Sequence, residues 1–263
     1  MLRLFVAIER WLARRTDRLI AVSPTIVQEL LANGIGRREQ WCVIPLGLDL
    51  TTLAHLPLPN GSRSVRIGLV GRLVPIKNPS LFLRALHRLV QTDAQQTIYG
   101  VVIGDGSLRP SLEREVQEMG LSHIVRFTGW RRDLAAVYGE LDATCLTSWN
   151  EGTPAAVLET MAAGRVVVAT DVGGLRDVLG GTCGRGRSIA PGSFLTTERG
   201  ILVRPGDAEG LAKALKTIAA DGALRGRLGE AARAYAVGHF SQERLVRDMT
   251  AFYEMVERGS RAP

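Results

Sequence analysis

Cysteine and histidine are both scarce: three cysteines and four histidines in 263 residues. Cys42, Cys145 and Cys183 are odd in number and far apart, with no CxxC pair and no metal-ligand spacing to a histidine. That pattern speaks against a disulfide framework and a structural zinc site, and is read as reduced, mostly structural thiols of a cytoplasmic protein. Long apolar runs are missing too. The opening MLRLFVAIERWLARR is broken at Glu9 and Arg10, too early for a secretory core or a membrane span, and no other stretch is long enough to cross a bilayer. The interleaved aromatic and basic residues of a nucleic-acid groove are also absent, so no nucleic-acid partner is expected. What is present is the composition of a folded globular chain, 46% hydrophobic and 22% charged, sufficient for one large domain or two modest ones. A formal charge of +7 favours anionic partners such as nucleotides, phosphorylated lipids or membrane surfaces.

From residue 65 onward, short β-rich runs alternate with helical patterns: VRIGLV (65–70), TIYGVVI (97–103), HIVRF (123–127), ATCLT (143–147), RVVVAT (165–170) and GILV (200–203). Strands separated by helices of ten or more residues predict βαβ units, hence a doubly wound α/β domain with a parallel sheet covered on both faces. Asn78 before Pro79, Thr153 before Pro154, and Asp207 are expected to cap helices, and Gly164 to stop one. Residues 207–257 read as three consecutive helices packed on the sheet edge. Residues 1–50 hold a basic amphipathic helix, strands RLIAV (18–22) and WCVIP (41–45), and between them a helix opened by Ser23 and Pro24. The segment 51–64 reads as a linker, and 180–199 as a Gly-rich loop.

In open α/β sheets ligands sit beyond the carboxyl ends of the strands, which makes the loops there the places to search. GRLVPIKN (71–78) supplies Gly71 for close backbone approach and two cations, Arg72 and Lys77, before a helix start. Fixed positive charge beside a helix N-terminus suits a diphosphate, the alternative being two solvated surface residues. GDGSLR (104–109) offers Gly104 and Gly106, but Arg109 stands where a dinucleotide fingerprint needs a third glycine, which disfavours a Rossmann dehydrogenase and leaves either a binding loop or a plain tight turn. In TSWNEGTPAAVLETMAAG (147–164), a Thr153 cap would leave Glu151 in the loop at the helix mouth and Glu159 about a turn and a half inside. The two acids would then meet different parts of one elongated ligand, with the Gly152 and Thr153 amides free for a phosphate. An acid on so apolar a helix needs a partner: a ligand hydroxyl, or an arginine in a salt bridge.

Taken in series, GRLVPIKN, GDGSLR, VRFTGW, EGTPAAVLE, VVATDVGGLRDVL and GILVRPGDAEGLAKAL resemble, in order and spacing, the donor-binding domain of the retaining glycosyltransferases of family 4, enzymes of GT-B fold. The likeness runs from residue 18 to about 255. It implies a donor domain over 59–263 and, over 1–58, a remnant of the acceptor domain with the hinge. It also implies hexosyl transfer from a nucleotide-diphosphate sugar to a hydroxyl of a carbohydrate or lipid-linked acceptor, with no cofactor and no metal for the donor. Arg72 and Lys77 would hold the diphosphate and share the charge of the leaving group. Glu159, beside Leu158, would bond the ribose hydroxyls, and Glu151 the transferred sugar, with the Gly152 and Thr153 amides nearby. Gly71, Gly104 and Gly106 would line the donor cleft, and Arg126, Phe127 and Thr128 would flank the base.

The family's acceptor domain precedes a motif such as LIAVS by well over a hundred residues and carries a histidine near the sugar. None of His55, His87, His123 and His239 matches it. The expectation is therefore an intact donor side with a truncated acceptor side. The chain would be inactive alone, or would be a nucleotide-sugar-binding fragment or subunit that needs a partner chain. The N-terminal helix, with Arg3, Arg10, Arg14, Arg15 and Arg18 beside Leu4, Phe5, Ile8 and Leu12, either lies peripherally on an anionic membrane or has an apolar stripe that packs on protein or is bared by truncation.

Overall fold

The computed structural model describes residues 2–59, 64–92, 97–181 and 188–260; Cys183 and the middle of the expected Gly-rich loop lie outside them. In chain order the elements are α1 (Leu2–Ala13), β1 (Leu19–Ala21), α2 (Pro24–Ala32), β2 (Trp41–Val43), α3 (Thr51–Ala54), β3 (Ser64–Val70), α4 (Ser80–Thr92), β4 (Thr97–Ile103), α5 (Arg109–Glu118), β5 (Val125–Gly129), α6 (Leu134–Gly139), β6 (Ala143–Leu146), α7 (Ala155–Ala162), β7 (Val166–Thr170), α8 (Leu175–Leu179), β8 (Phe194–Thr196), β9 (Ile201–Val203), α9 (Ala208–Ala220), α10 (Gly222–Phe240) and α11 (Gln242–Ser260). They form two compact units, residues 1–49 with 238–263, and residues 50–237.

The larger unit is the expected doubly wound α/β domain. Its seven strands lie in the order β5-β4-β3-β6-β7-β9-β8, parallel throughout except that β8 runs antiparallel to β9. The central strands β6 and β7 are buried along their whole length, as a parallel sheet covered on both faces requires. On one face Val65, Ile67 and Leu69 of β3 pack with Phe82 and Leu86 of α4, Leu112 of α5, and Leu211 and Leu215 of α9. On the other, Leu141 fills the space that Gly68 leaves open: a Cβ there would stand 2.4 Å from its Cδ1. Glycine at 68 is thus a packing choice within the strand.

Several boundaries differ from the sequence reading. β5 begins at Val125, two residues later than expected, and β8 is a short edge strand inside what reads as loop. Ser23 and Asp207 cap α2 and α9 through their side chains, and Gly164 ends α7 in the left-handed region at φ +68. Thr153 is not a cap: α7 starts one residue later, with Pro154 in the cap position and its carbonyl accepting from the Val157 and Leu158 amides. Asn78 is left-handed (φ 44) and closes a short 3-10 turn over Pro75–Lys77, and its side-chain nitrogen Nδ2 is buried without a partner among the described residues. The three C-terminal helices are present, but α9 lies on the sheet face beside α4, not at the edge.

The division of the chain also differs from a break at residue 58. Residues 50–58 are fastened into the larger unit, because Arg165 donates to the Pro57 carbonyl at 2.7 Å and Arg233 to that of Leu56 at 2.6 Å. The C-terminal helix belongs with the smaller unit instead. There Arg244 donates to the Pro45 carbonyl at 2.7 Å, and Leu48 bridges Ser241. Within that unit β1 and β2 form a two-stranded parallel sheet. Buried Gln40 ties α1 to the segment before β2 by donating to the Ala13 and Thr16 carbonyls. The apolar stripe of α1 is open, with Leu4 64%, Phe5 61% and Trp11 53% exposed.

Candidate functional site

The strand order reverses between β3 and β6. From β3 the chain builds outward through β4 to β5, then returns to lay β6 on the other side of β3. Loops leaving adjacent strands in opposite directions open a crevice at their carboxyl ends. That crevice is lined by Gly71, Arg72, Leu73 and Lys77 from the β3 end and by Leu146, Thr147 and Ser148 from the β6 end. The two loops are knit together: the Trp149 amide donates to the Ile76 carbonyl at 2.9 Å, and the Thr147 hydroxyl to that of Lys77 at 2.9 Å.

This scaffold brings together a cation and an acid that lie 74 residues apart. Lys77 Nζ stands 2.5 Å from Glu151 Oε1, their side chains 25% and 9% exposed. The fully buried Ser148 donates its hydroxyl to the same oxygen at 2.5 Å. Glu151 is supported from below by the turn after β7. A Cβ on Gly173 (φ +53) would fall 1.7 Å from the Glu151 carbonyl oxygen, so only glycine fits, and the Arg176–Asp171 ion pair braces that turn. Arg72 is exposed and its guanidinium has no partner among the described residues. Gly71 (φ +146) has nothing within 4 Å of where a Cβ would be. The β3 turn therefore presents open backbone, an unpaired guanidinium and a half-screened ammonium side by side, the elements of an anion site.

The second acid has a different partner. Glu159, half-buried on α7, accepts from the hydroxyl of Tyr138 at 2.7 Å. Its partner is a fully buried phenol where the sequence offered an arginine or a ligand. Burial first, then the neighbouring carboxylate of Glu159, raise the Tyr138 phenol well above its ordinary range, which favours its role as a hydrogen-bond donor. Sequence reasoning missed both Tyr138 and Ser148. An apolar run holding one tyrosine carries no sign that it ends against an acid 21 residues later.

Other residues singled out from sequence have other tasks. Gly104 and Gly106 make room for backbone: a Cβ would lie 2.0 Å from the Gly71 carbonyl oxygen in one case and 2.4 Å from that of Leu73 in the other. They let the turn after β4 clasp the turn after β3, with Leu73 N bonded to Asp105 O, and so shape the crevice from behind. The Gly106 amide, then the Arg109 guanidinium, hold the Asp105 carboxyl below the usual carboxylate range, fixing this clasp. Leu158 is fully buried. Phe127 packs on the core, and Thr128 donates to strand carbonyls. Arg126 sits near the start of β5 in an ion pair with Glu140, in a groove formed by the beginnings of β3, β4 and β5. It is at the opposite end of the sheet from Lys77. Gly152 is exposed and Thr153 half-buried at the mouth of α7. Among the described residues, no group of three or more His, Cys, Asp or Glu side chains is placed to hold a metal ion, and Cys42 and Cys145 are free thiols.

Comparison with known proteins places these features in a family. Residues 64–221 match the sequence pattern of the family described as "Glycosyl transferases group 1". The chain is 30% identical to a D-inositol 3-phosphate glycosyltransferase of Corynebacterium jeikeium, the match covering 97% of this chain and 62% of the relative. It is 33% identical to the lipopolysaccharide core biosynthesis glycosyltransferase LpsE of Rhizobium meliloti over 62% of this chain and 44% of that protein. The chain thus spans about half the length of these relatives. In fold it superposes on Anabaena Alr3699/HepE, solved in complex with UDP, with a TM-score of 0.81 at 22% identity over 97% of this chain and 68% of that one. With more than half of its residues inside the family pattern and a sheet of GT-B type, the chain belongs to the group 1 glycosyl transferases.

Proposed function

We propose that the crevice between the ends of β3 and β6 holds the diphosphate of a nucleotide-sugar donor, and that the chain is the donor half of a retaining hexosyltransferase acting on a hydroxyl acceptor. The observation that carries this reading is the Lys77–Glu151 ion pair spanning the topological switch point beside Gly71. A lysine ammonium has three donors; with one on Glu151, two remain for phosphate oxygens. Arg72 adds a second cation and the mouth of α7 adds peptide amides. Together they neutralise charge as it builds on the departing diphosphate, so the donor needs no metal and the reaction no cofactor. Glu151, its Oε1 taken by Lys77 and Ser148, turns its other oxygen to the sugar, and Glu159 meets the ribose. The base rests at the finishing end of β5, where Thr128 lies and Arg126 does not. The acceptor is a carbohydrate or lipid-linked hydroxyl, met on the cytoplasmic side of a membrane. No helix among the described residues is long and apolar enough to cross that membrane.

Calorimetry with UDP, GDP and ADP and their sugar conjugates tests the reading. Saturable binding of one nucleotide series supports it; a folded sample that binds none contradicts it.

A further inference from the structure

Glu159 is held from one side only. Tyr138 projects from α6, which crosses from β5 to β6, and its hydroxyl reaches Oε2 of Glu159 on the neighbouring α7. The tyrosine itself is locked. Its side chain is fully buried, and its carbonyl accepts from Arg165 Nε at 2.9 Å. Arg165 is in turn 2% exposed and bonded to Pro57. Thr160, next to Glu159, is bonded to Thr144 of β6 at 2.9 Å and to the Ala156 carbonyl at 2.6 Å, so the helix beneath the acid has little rotational freedom. Glu159 Oε1 has no partner among the described residues. The shorter contact of the phenol hydroxyl is the one to Glu159, at 2.7 Å, the Ala156 carbonyl lying at 3.4 Å. A carboxylate so engaged at one oxygen keeps one face of acceptor lone pairs, aimed by a rigid frame.

We propose that Tyr138 is a positioning residue that sets the ribose selectivity of the donor site, by holding Glu159 with Oε1 presented to the vicinal hydroxyls of a nucleoside ribose. This rests on the reading of the crevice as a nucleotide site. A hydrogen bond to a charged group is worth enough that losing one ribose hydroxyl weakens binding about tenfold or more. Without the phenol, Glu159 swings among rotamers, and the preference for ribose collapses while the affinity due to the diphosphate remains.

The experiment compares, by calorimetry, the best-binding member of UDP, GDP and ADP with its 2′-deoxy counterpart, on the wild-type chain, Tyr138→Phe and Glu159→Gln. The wild type is expected to prefer the ribonucleotide about tenfold. Tyr138→Phe should reduce that ratio to roughly twofold or less with the 2′-deoxy affinity unchanged, and Glu159→Gln should do the same. A merely structural tyrosine would weaken both ligands equally and leave the ratio at its wild-type value, which overturns the proposal. If Glu159→Gln keeps the full ratio, the fault lies in the assignment of Glu159 to the ribose, and the inference falls with it. If no nucleotide binds at all, the reading of the crevice itself has failed. Should the phenylalanine variant not fold, the wild type carries the test through the hydroxyl proton of Tyr138 observed by NMR. A shift on adding the ribonucleotide that the 2′-deoxy ligand does not reproduce supports the proposal; an unmoved resonance under saturation with the ribonucleotide overturns it.

Discussion

The two ends of the larger sheet carry similar side chains and put them to different use. At the starting edge, Arg126 pairs with Glu140, and Arg66 stands exposed beside Tyr99 on the next strand. There the cations rise from strands whose backbone groups are spent on the ladder. At the finishing edge, Lys77 and Arg72 rise from turns, next to a glycine with open space before it and the mouth of a helix. Cations alone occur at both ends. Only the finishing edge adds peptide groups that the ladder leaves unbonded, and it does so because the strand order reverses there. Charge count could not distinguish the ends; topology does.

The sharpest way to break this contrast is to remove the clasp that shapes the finishing edge. Gly104→Ala drives a Cβ into the Gly71 carbonyl and should cost about 3 kcal/mol of stability in urea unfolding, near the upper range for overpacking. Gly71→Ala meets no neighbour and pays only for its positive φ, about 1 kcal/mol. Next in size is Lys77→Ala. It leaves the largely buried Glu151 carboxylate without its cation and should lower nucleoside-diphosphate affinity about a hundredfold by titration calorimetry, with Lys77→Arg in between. At the starting edge the matching change, Arg126→Ala, should leave that affinity unchanged within about twofold, the two sites being independent. An Arg126→Ala loss as large as that of Lys77→Ala would erase the distinction between the ends.

A smaller effect comes from pH. Burial pushes the Cys145 thiol up, and Tyr138 is raised in the same direction. Above about pH 8.5 for the thiol and about pH 10 for the phenol, the unfolded chain sheds protons that the folded chain keeps. Folding stability therefore falls as pH rises, by about 1.4 kcal/mol per unit for each group once past its unfolded value. Thermal melts from pH 8 to 11 should show this decline, with Cys145→Ala flattening its first part and Tyr138→Phe its second.

Much of this architecture is legible from residue order, and the exceptions have physical causes. Alternating strands and helices announce the parallel sheet because each βαβ unit is local and its apolar periodicity repeats. β8 escapes because Phe194–Thr196 is three residues at an edge, half-buried among glycine, serine and threonine. Pro154 displaces Thr153 as cap because the first turn of α7 is closed through a carbonyl, which any residue supplies. In the site, Arg72, Lys77, Glu151 and Glu159 stand out singly as charges in loops or on an apolar helix. Their pairings do not. Lys77 meets Glu151 across 74 residues and Tyr138 meets Glu159 across 21, and neither distance is written in a local pattern. The glycines are visible as glycines, but whether each faces open space, as Gly71 does, or another carbonyl, as Gly104 and Gly106 do, depends on which turn folds against it.

The central claim is that the crevice at the β3–β6 switch point is where a nucleoside diphosphate binds, and a crystal structure of the chain with the tightest-binding nucleoside diphosphate tests it most directly. The account predicts diphosphate density within hydrogen-bonding distance of Lys77 Nζ and the Gly71 turn, with the ribose at Glu159. Density seated instead among Arg66, Tyr99 and Arg126, with Lys77 still closed on Glu151, would contradict it.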